Sequence, residues 1–275
     1  MVRTNGVVQV NGANLSYETK GEGRPLVLLH DGLLDRRVWD YQVEAFTQEF
    51  RVVRYDRRGY GGSAAPRKRF SDVEDLHCLL GHLGISKVWL MGASNGGRIA
   101  VDFALEHPEK VDALVLVGPA LSGYGTSEER HRKVSKMFSA TRTEGVSWGV
   151  EMWMENPFWT PAENRKVARE KVRNILTENL PKVLTLVSMQ NLGTAPAPSV
   201  VERLHRIDVP TLVVVGERDH ADNLAIASLL EREVPRSSKV MLPGTGHLPM
   251  VEMPQEFDTL VLGFLRERAA NVQTD

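Results

Sequence analysis

The segment around Ser94 carries the residues best suited to do chemistry. It reads Met91-Gly92-Ala93-Ser94-Asn95-Gly96-Gly97 and directly follows an apolar run. A G-x-S-x-G pattern between a strand and a helix predicts a nucleophile elbow, because small residues two positions either side of the serine permit a sharp, strained turn. The first N–H groups of the helix would then point at the place where an oxyanion forms. The pattern predicts an activated serine; the alternative is that Ser94 only caps a helix.

A serine hydroxyl is a poor nucleophile at neutral pH, so Ser94 would need a histidine base and an acid that orients this base. Among the eight histidines, His247 lies on a glycine-rich loop after the last apolar run, and Asp219 follows the run before it. Open α/β sheets place their sites just past such strand ends. The order Ser94, Asp219, His247 predicts a catalytic set, with His220 as base and Glu217 as acid remaining alternatives.

Composition limits the possible partners and cofactors. The chain has 275 residues, 42% hydrophobic and 25% charged, which suits one large domain or a domain with an insertion. A net charge of −1 argues against nucleic acid as a partner and favours a small-molecule substrate. Cys78 is the only cysteine, so no internal disulfide framework or thiolate-rich metal site is expected. No metal-ligand spacing or phosphate-binding glycine loop is visible, so we expect no metal and no cofactor.

Hydropathy gives no sign of a membrane partner. Residues 1–6 lack an apolar signal core, and no segment offers about 18 consecutive apolar residues. We therefore expect a cytoplasmic protein without a membrane span. The sequence gives no indication of the oligomeric state.

Short apolar runs alternate with amphipathic segments along most of the chain, which predicts a parallel sheet covered by helices. The predicted strands cover residues 7–10, 15–18, 25–30, 51–55, 88–91, 111–117, 209–215 and 239–242. The first two are separated by Asn11-Gly12-Ala13, which predicts a tight hairpin at the sheet edge. Ser71 and Glu74 have capping-box spacing, which predicts a helix over residues 72–83.

The alternation stops between residues 121 and 207, where capping-box starts at Thr126, Thr160 and Ser199 predict helices. We therefore divide the chain into a core of residues 1–120 and 208–275 and a helical insertion of residues 121–207. Bulky apolar residues gather in this insertion and predict the roof of an apolar substrate pocket; the alternative is that they pack the insertion against the core. The predicted pocket residues are Trp148, Met152, Trp153, Phe158, Trp159 and Met189.

Further motifs match one known superfamily. They are Leu28-Leu29-His30, Trp39, the run from Asp56 to Ser63, which matches D-x-R-G-x-G-x-S, and the run from Glu252 to Phe257. With the Ser94 motif, they make the chain resemble the α/β-hydrolase superfamily, in its branch with a helical cap inserted after the sixth strand. The resemblance covers nearly the whole chain. It implies an α/β fold with a mostly parallel eight-stranded sheet, flanked by helices and carrying an inserted all-helical cap.

The resemblance also implies roles for individual residues. Ser94 would be the nucleophile, His247 the general acid and base, and Asp219 the acid that orients His247. The oxyanion hole would use the Asn95 N–H and one N–H from the loop after His30. The family usually reads His-Gly at this loop, whereas this chain reads His30-Asp31-Gly32, so Gly32 becomes the expected donor. We expect the Asp31 side chain to point away, because a carboxylate facing the hole would repel the oxyanion.

These features lead to a functional hypothesis. Serine rather than aspartate at position 94 argues against dehalogenase and epoxide hydrolase chemistry, which in this superfamily use a carboxylate nucleophile. We predict a carboxylic-ester hydrolase that forms an acyl-enzyme on Ser94 with small to medium esters. The alternatives are a lactonase or C–C bond hydrolase with the same triad, or a small-molecule receptor of this fold that does not turn its ligand over.

Overall fold

One eight-stranded sheet organises the chain, of which the computed structural model describes residues 3–156, 158–188 and 199–272. The strand order is β1-β2-β4-β3-β5-β6-β7-β8; β2 is antiparallel to both of its neighbours, β1 and β4, and the remaining pairs are parallel. The strands are β1 (Arg3–Val10), β2 (Ala13–Lys20), β3 (Arg24–Leu29), β4 (Phe50–Tyr55), β5 (Val88–Ala93), β6 (Val111–Val117), β7 (Thr211–Gly216) and β8 (Ser237–Leu242). The predicted mostly parallel eight-stranded sheet is confirmed.

The hairpin between β1 and β2 forms one edge of this sheet. Its turn residues Asn11 and Gly12 have φ angles of 46° and 78°. Asparagine and glycine tolerate this left-handed region, which the tight hairpin turn requires. The predicted edge hairpin is therefore present, and its strands are longer than the apolar runs indicated.

Apolar strands form the centre of the sheet because helices cover both of its faces. All six residues of β5 and all six of β7 are buried. In β3, Leu26 and Leu28 join the hydrophobic cluster on one face, whereas Val27 and Leu29 join the cluster on the other. Side chains of a strand alternate between faces, so continuous apolar runs are what a doubly covered parallel sheet requires.

The helices of the described residues flank the sheet and also fill the segment between β6 and β7. They are α1 (Asp40–Phe46), α2 (Asp72–His82), α3 (Asn95–Glu106), α4 (Glu128–Thr143), α5 (Val146–Met154), α6 (Lys166–Ser188), α7 (Val200–Arg203), α8 (Ala221–Glu233), α9 (Pro249–Glu252) and α10 (Pro254–Val272). The described residues between β6 and β7 form helices and no strand, whereas the exact limits of a cap at residues 121 and 207 stay a prediction. None of the helices in these ranges is both long and apolar enough to cross a membrane.

Two predicted helix starts are close to the observed ones. Ser71 Oγ accepts the Glu74 N–H at 3.3 Å, and α2 begins at the next residue after this serine. In α4 the cap is Ser127, whose Oγ accepts the Arg130 N–H at 3.3 Å, rather than the predicted Thr126. Both starts follow the capping rule, but Ser127 caps α4 without a glutamate three residues later, so the capping-box spacing indicated the neighbouring threonine.

The predicted helix start at Thr160 is wrong, because the next helix, α6, begins only at Lys166. The Thr160 hydroxyl donates to the carbonyl oxygens of Met154, at 3.3 Å, and Asn156, at 2.7 Å. It closes the end of α5 instead of capping a new helix, since it satisfies carbonyls that a helix end leaves free. At Ser199 the short helix α7 does begin as predicted, although the serine side chain makes no capping bond.

A buried carboxyl on α10 makes stability depend on pH. Gln42 Nε2 donates to Asp258 Oδ1 at 3.0 Å, and burial raises the pKa of Asp258 to about 6 despite this bond. The pKa in the unfolded chain is about 3.9, so ionisation is harder in the folded state. The stabilising effect of the protonated form is therefore complete below pH of about 4 and is lost as the pH rises through about 6.

We expect Asp258→Asn to raise the free energy of unfolding at pH 7 by about 1 kcal/mol, a value reduced for solvent screening. The introduced amide could also donate to Gln42 Oε1, which is buried without a partner among the described residues. At pH 4 the variant should match the wild type. Urea denaturation at both pH values measures this, with the exposed Asp208→Asn as the matched control. Equal stabilisation at pH 4 and pH 7 would contradict the titration of Asp258.

Candidate active site

Ser94 occupies the turn between β5 and α3. Its φ and ψ angles are 50° and −112°, a conformation that non-glycine residues rarely adopt. A Cβ atom on Gly92 would lie 2.3 Å from the Gly96 carbonyl oxygen, and one on Gly96 would lie 2.2 Å from the Leu29 carbonyl oxygen. Both glycines are therefore required by close backbone approach, and the turn has the geometry of a nucleophile elbow.

The backbone after β6 lies next to Ser94. The Ser94 N–H donates to the Val117 carbonyl at 2.8 Å. The next residue, Gly118, has a φ of 47°, and a Cβ atom on it would lie 2.8 Å from Asp219 Oδ2 and 3.0 Å from His247 Nδ1. Gly118 therefore lies between the backbone that contacts Ser94 and the side chains of Asp219 and His247. Sequence reasoning did not select Gly118; its signal is a glycine at the carboxyl end of a buried strand.

Asp219 and His247 form a buried pair at the ends of β7 and β8. His247 Nδ1 lies 3.0 Å from each carboxylate oxygen of Asp219. His247 is 6% exposed and Asp219 is 3% exposed. A carboxylate facing Nδ1 keeps the proton on that nitrogen and leaves Nε2 free to accept one.

The alternatives for these roles are engaged elsewhere. His220 Nδ1 accepts the Asp222 N–H at 3.2 Å and caps α8, and burial lowers the pKa of its imidazole. Glu217 Oε2 accepts the Gly244 N–H at 2.9 Å. Both side chains stabilise backbone turns, and the Asp219 carboxylate contacts the backbone N–H of His220 rather than its ring.

Gly32 and Asn95, the predicted oxyanion donors, are neighbours. A Cβ atom on Gly32 would lie 3.8 Å from Asn95 Cβ. Asn95 is the first residue of α3, so its N–H has no acceptor within the helix. Its side-chain oxygen accepts Arg98 Nε at 2.6 Å and is thus held along the helix. This arrangement leaves the Asn95 N–H available to a bound group.

Hydrogen bonds to the Asp31 carbonyl, which belongs to the same peptide group, fix the direction of the Gly32 N–H. The Asp31 carbonyl accepts His30 Nδ1 at 2.9 Å and the Arg57 guanidinium at 2.5 Å. The carbonyl and N–H of a trans peptide point in opposite directions, so these bonds also orient the N–H. His30 is fully buried, and burial, together with the charge of Arg57, holds its pKa well below the usual range. A neutral His30 with its proton on Nδ1 is therefore a support of this loop.

The Asp31 side chain folds back onto its own loop. It is 6% exposed, and its Oδ1 accepts the N–H groups of Leu33 and Leu34 at 2.8 and 3.0 Å. These N–H groups follow a tight turn and need an acceptor, so the side chain contributes to the loop together with the backbone. That the carboxylate points away from the oxyanion hole stays a prediction. Burial raises the pKa of Asp31, whereas the two hydrogen bonds and the charge of His247 oppose that rise.

Asp31→Gly is accordingly expected to lower kcat by about 10-fold, a fraction of the loss seen when an oxyanion donor is removed outright. The substitution leaves the Leu33 and Leu34 N–H groups without their acceptor. It also allows the peptide between residues 31 and 32, which carries the Gly32 N–H, to rotate more freely. Asp31→Asn keeps one side-chain oxygen and should retain most activity. Steady-state hydrolysis of p-nitrophenyl acetate measures both variants. A glycine variant that matches the wild type would show that the side chain has no part in positioning the loop.

The loop that carries His247 is anchored to the segment between β6 and β7. The His247 N–H donates to the Phe158 carbonyl at 2.9 Å, and the neighbouring Gly246 N–H donates to Glu252 Oε1 at 2.7 Å. Glu252 is only 4% exposed, and sequence reasoning did not indicate its position at this junction. Its other oxygens accept hydrogen bonds from both sides of this junction: Arg218, Ala162 and Arg165.

Three of the predicted pocket residues line one cavity. Met152, Trp153 and Trp159 border a space of about 290 Å³. Trp159 stacks with Trp153 at 4.7 Å and with His220 at 5.8 Å between ring centroids. The cavity therefore approaches the residue next to Asp219. Its remaining lining residues mix charged, polar and apolar side chains: Lys133, Lys136, Met137, Glu155 and Asn156.

The other predicted pocket residues have different positions. The Phe158 ring lies edge-on to His220 at 5.6 Å, beside the cavity residues. Trp148 is 54% exposed, since α5 turns Gly149, Val150 and Met154 inward and leaves the opposite face to solvent. This placement does not favour Trp148 as a pocket wall. Met189 lies outside the described residues.

Comparison with known proteins identifies the family. A family model described as the alpha/beta hydrolase fold matches residues 24–254. The chain belongs to the α/β-hydrolase family. This α/β hydrolase is 31% identical, over 87% of the chain and 89% of the relative, to a Bacillus subtilis (strain 168) protein assigned provisionally as 2-succinyl-6-hydroxy-2,4-cyclohexadiene-1-carboxylate synthase.

Two further similarities are to esterases. The pimeloyl-[acyl-carrier protein] methyl ester esterase of Vibrio vulnificus (strain YJ016) is 28% identical, over 91% of this chain and 98% of its own. The structure of a thermophilic esterase from Thermogutta terrifontis superposes with a TM-score of 0.79 at 28% identity, covering 98% of this chain and 99% of its own. The protein is accordingly a hydrolase of this fold.

Proposed function

We propose that this α/β hydrolase cleaves carboxylic esters of small to medium substrates through an acyl-enzyme on Ser94. The observation that carries the proposal is the buried bond between His247 and Asp219. This pair packs against Gly118, the residue that follows the carbonyl to which the Ser94 N–H donates. A serine in an elbow beside an oriented imidazole is the arrangement that acyl transfer needs.

In the proposed reaction, His247 Nε2 accepts the hydroxyl proton of Ser94 as its Oγ attacks the ester carbonyl carbon. Asp219 stabilises the resulting imidazolium, and the Gly32 and Asn95 N–H groups bind the carbonyl oxygen as it becomes negative. The imidazolium then protonates the leaving alcohol as the C–O bond breaks. Water, deprotonated by the same imidazole, attacks the acyl-enzyme and releases the acid.

The substrate class rests on the surroundings of this site. Phe158 and Trp159 contact the ring of His220, the residue next to Asp219, and Trp153 stacks on Trp159. In the proposal this aromatic cluster holds the acyl or alcohol group. The methyl ester esterase of Vibrio vulnificus and the esterase of Thermogutta terrifontis, both similar to this chain, support ester cleavage. The described residues offer no feature that favours a lactone or a carbon–carbon bond over an ester.

The test combines covalent labelling with a substrate series. A fluorophosphonate should modify one residue, and peptide mapping should place the added mass on Ser94. The p-nitrophenyl esters of increasing acyl length should be hydrolysed in steady turnover, with kcat/KM falling once the acyl chain exceeds the pocket. Labelling of Ser94 without turnover of any ester would overturn the proposal of an esterase. Lactones and dienoic substrates with a cleavable C–C bond would then be assayed. An initial burst followed by negligible turnover would favour the receptor alternative.

A further inference from the structure

A second group of chemically capable side chains lies far from Ser94. Glu74 and His77 are one turn apart on α2, and His107 directly follows α3. One ligand atom of each residue lies within 4.8 Å of those of the other two. Ser94 precedes the first turn of α3, so His107 is about 20 Å away along a helix that rises 1.5 Å per residue. The group is therefore separate from the candidate active site.

The two imidazoles of this group are close together, and one of them has a buried nitrogen without a hydrogen-bond partner among the described residues. The ring centroids of His77 and His107 are 4.3 Å apart, with an angle of 68° between the planes. The Phe103 ring covers His107 at 4.8 Å. His107 Nε2 is buried and has no hydrogen-bond partner among the described residues. A buried polar atom without a partner is destabilising, and a ligand bound at this nitrogen would remove that cost.

We propose that Glu74, His77 and His107 bind a divalent transition-metal ion of the zinc class. Two imidazole nitrogens and one carboxylate oxygen suit zinc and its neighbours, whereas calcium and magnesium prefer oxygen ligands. Zinc lies about 2.0–2.2 Å from such donors, so two donors on one ion are separated by no more than about 4.4 Å. Because Glu74 is exposed and His77 only half-buried, small side-chain rotations bring the three donors within that separation.

A bound ion would join α2 to the end of α3. The Glu74 and His77 spacing is readable in the sequence as Glu-x-x-His on one helix face. The third ligand is 30 positions further along the chain, which is why the expectation of no metal followed from spacing alone. The ion would clamp two helices that pack on the same face of the sheet and would stabilise the folded protein.

The experiment titrates EDTA-treated, desalted full-length protein with Zn²⁺ in competition with a chromophoric chelator. We expect the wild type to bind one ion tightly at this site. His77→Gln and His107→Gln should each weaken binding by more than about 100-fold, since loss of a supporting residue alone costs 10- to 100-fold. Glu74→Gln, at an exposed position that tolerates polar substitution, should weaken binding as well. His131→Gln, on the exposed surface of α4, is the matched control and should leave binding unchanged.

Thermal unfolding separates loss of a ligand from loss of the fold. In EDTA, Glu74→Gln and the two histidine variants should unfold near the wild-type Tm. Added Zn²⁺ should raise the Tm of the wild type and of His131→Gln, and not that of the other variants. The proposal would be overturned if Glu74→Gln and His77→Gln bound Zn²⁺ as tightly as the wild type. It would also be overturned if His131→Gln lost as much Zn²⁺ affinity as the variants of the proposed ligands.

Discussion

Replacing Ser94 with alanine is expected to lower kcat for ester hydrolysis by about 10⁴- to 10⁶-fold, the range observed when a triad nucleophile is removed. The His247 and Asp219 pair, with its 3.0 Å contacts, would remain, but no group would be left to form the acyl-enzyme. Alanine keeps the β-carbon and the same backbone restriction at a φ of 50°, so the fold should be retained. Single-turnover and steady-state assays with p-nitrophenyl esters measure the change.

The matched control for this prediction is Ser228→Ala, which removes a serine hydroxyl from the exposed surface of α8. It should match the wild type in kcat and in thermal unfolding. Fluorophosphonate should label Ser228→Ala fully and Ser94→Ala not at all. More than about 1% residual turnover in the Ser94 variant would contradict the mechanism, since the smallest expected loss is far larger.

Gly118→Ala is expected to lower kcat by about 100-fold with a smaller change in KM, because displacements of about 1 Å have this effect on reacting groups. The new Cβ atom would lie 2.8 Å from Asp219 Oδ2 and 3.0 Å from His247 Nδ1, which forces one of these groups to move. The backbone φ of 47° adds strain for any residue with a β-carbon. Steady-state kinetics that determine kcat and KM separately measure the effect.

Gly84→Ala separates this collision from backbone strain. Gly84 has a φ of 65°, and a Cβ atom on it would meet nothing within 4 Å. Both alanine variants should lose stability through the backbone, as thermal unfolding would show, but only Gly118→Ala should lose turnover. A Gly118 variant with wild-type kcat would mean that the pair tolerates displacement, and would weaken the roles given to Asp219 and His247.

Local features of the fold could be predicted from the sequence because they depend on neighbouring residues. The apolar run of β5 identified a buried strand, and Asn11-Gly12 identified a hairpin turn. Ser71 marked the start of α2 by the bond it makes three residues ahead. Thr160 had the same local pattern, but its hydroxyl binds the carbonyls that end α5. Local spacing does not show which of two partners a hydroxyl finds.

The site was predictable where a motif fixes the backbone and not where distant segments meet. The strained φ of Ser94 agrees with the short motif around it. Contacts of Gly118 and Glu252 depend on residues far along the chain, so no spacing in the sequence indicated them. Aromatic composition suggested a pocket, but the exposure of Trp148 depends on which face of α5 turns inward.

The anchoring of the His247 loop bears on how far members of this family can exchange parts. The Phe158 carbonyl holds His247, and Glu252 joins the loop to Ala162 and Arg165. A chimera that takes its helical segment from a relative would therefore also replace the acceptor that positions the proposed base. Such a graft keeps its chemistry only if the incoming segment supplies a carbonyl at the place of Phe158 and donors for Glu252. Exchanging the helical segment would therefore change the proposed substrate contacts and the position of the proposed base at the same time.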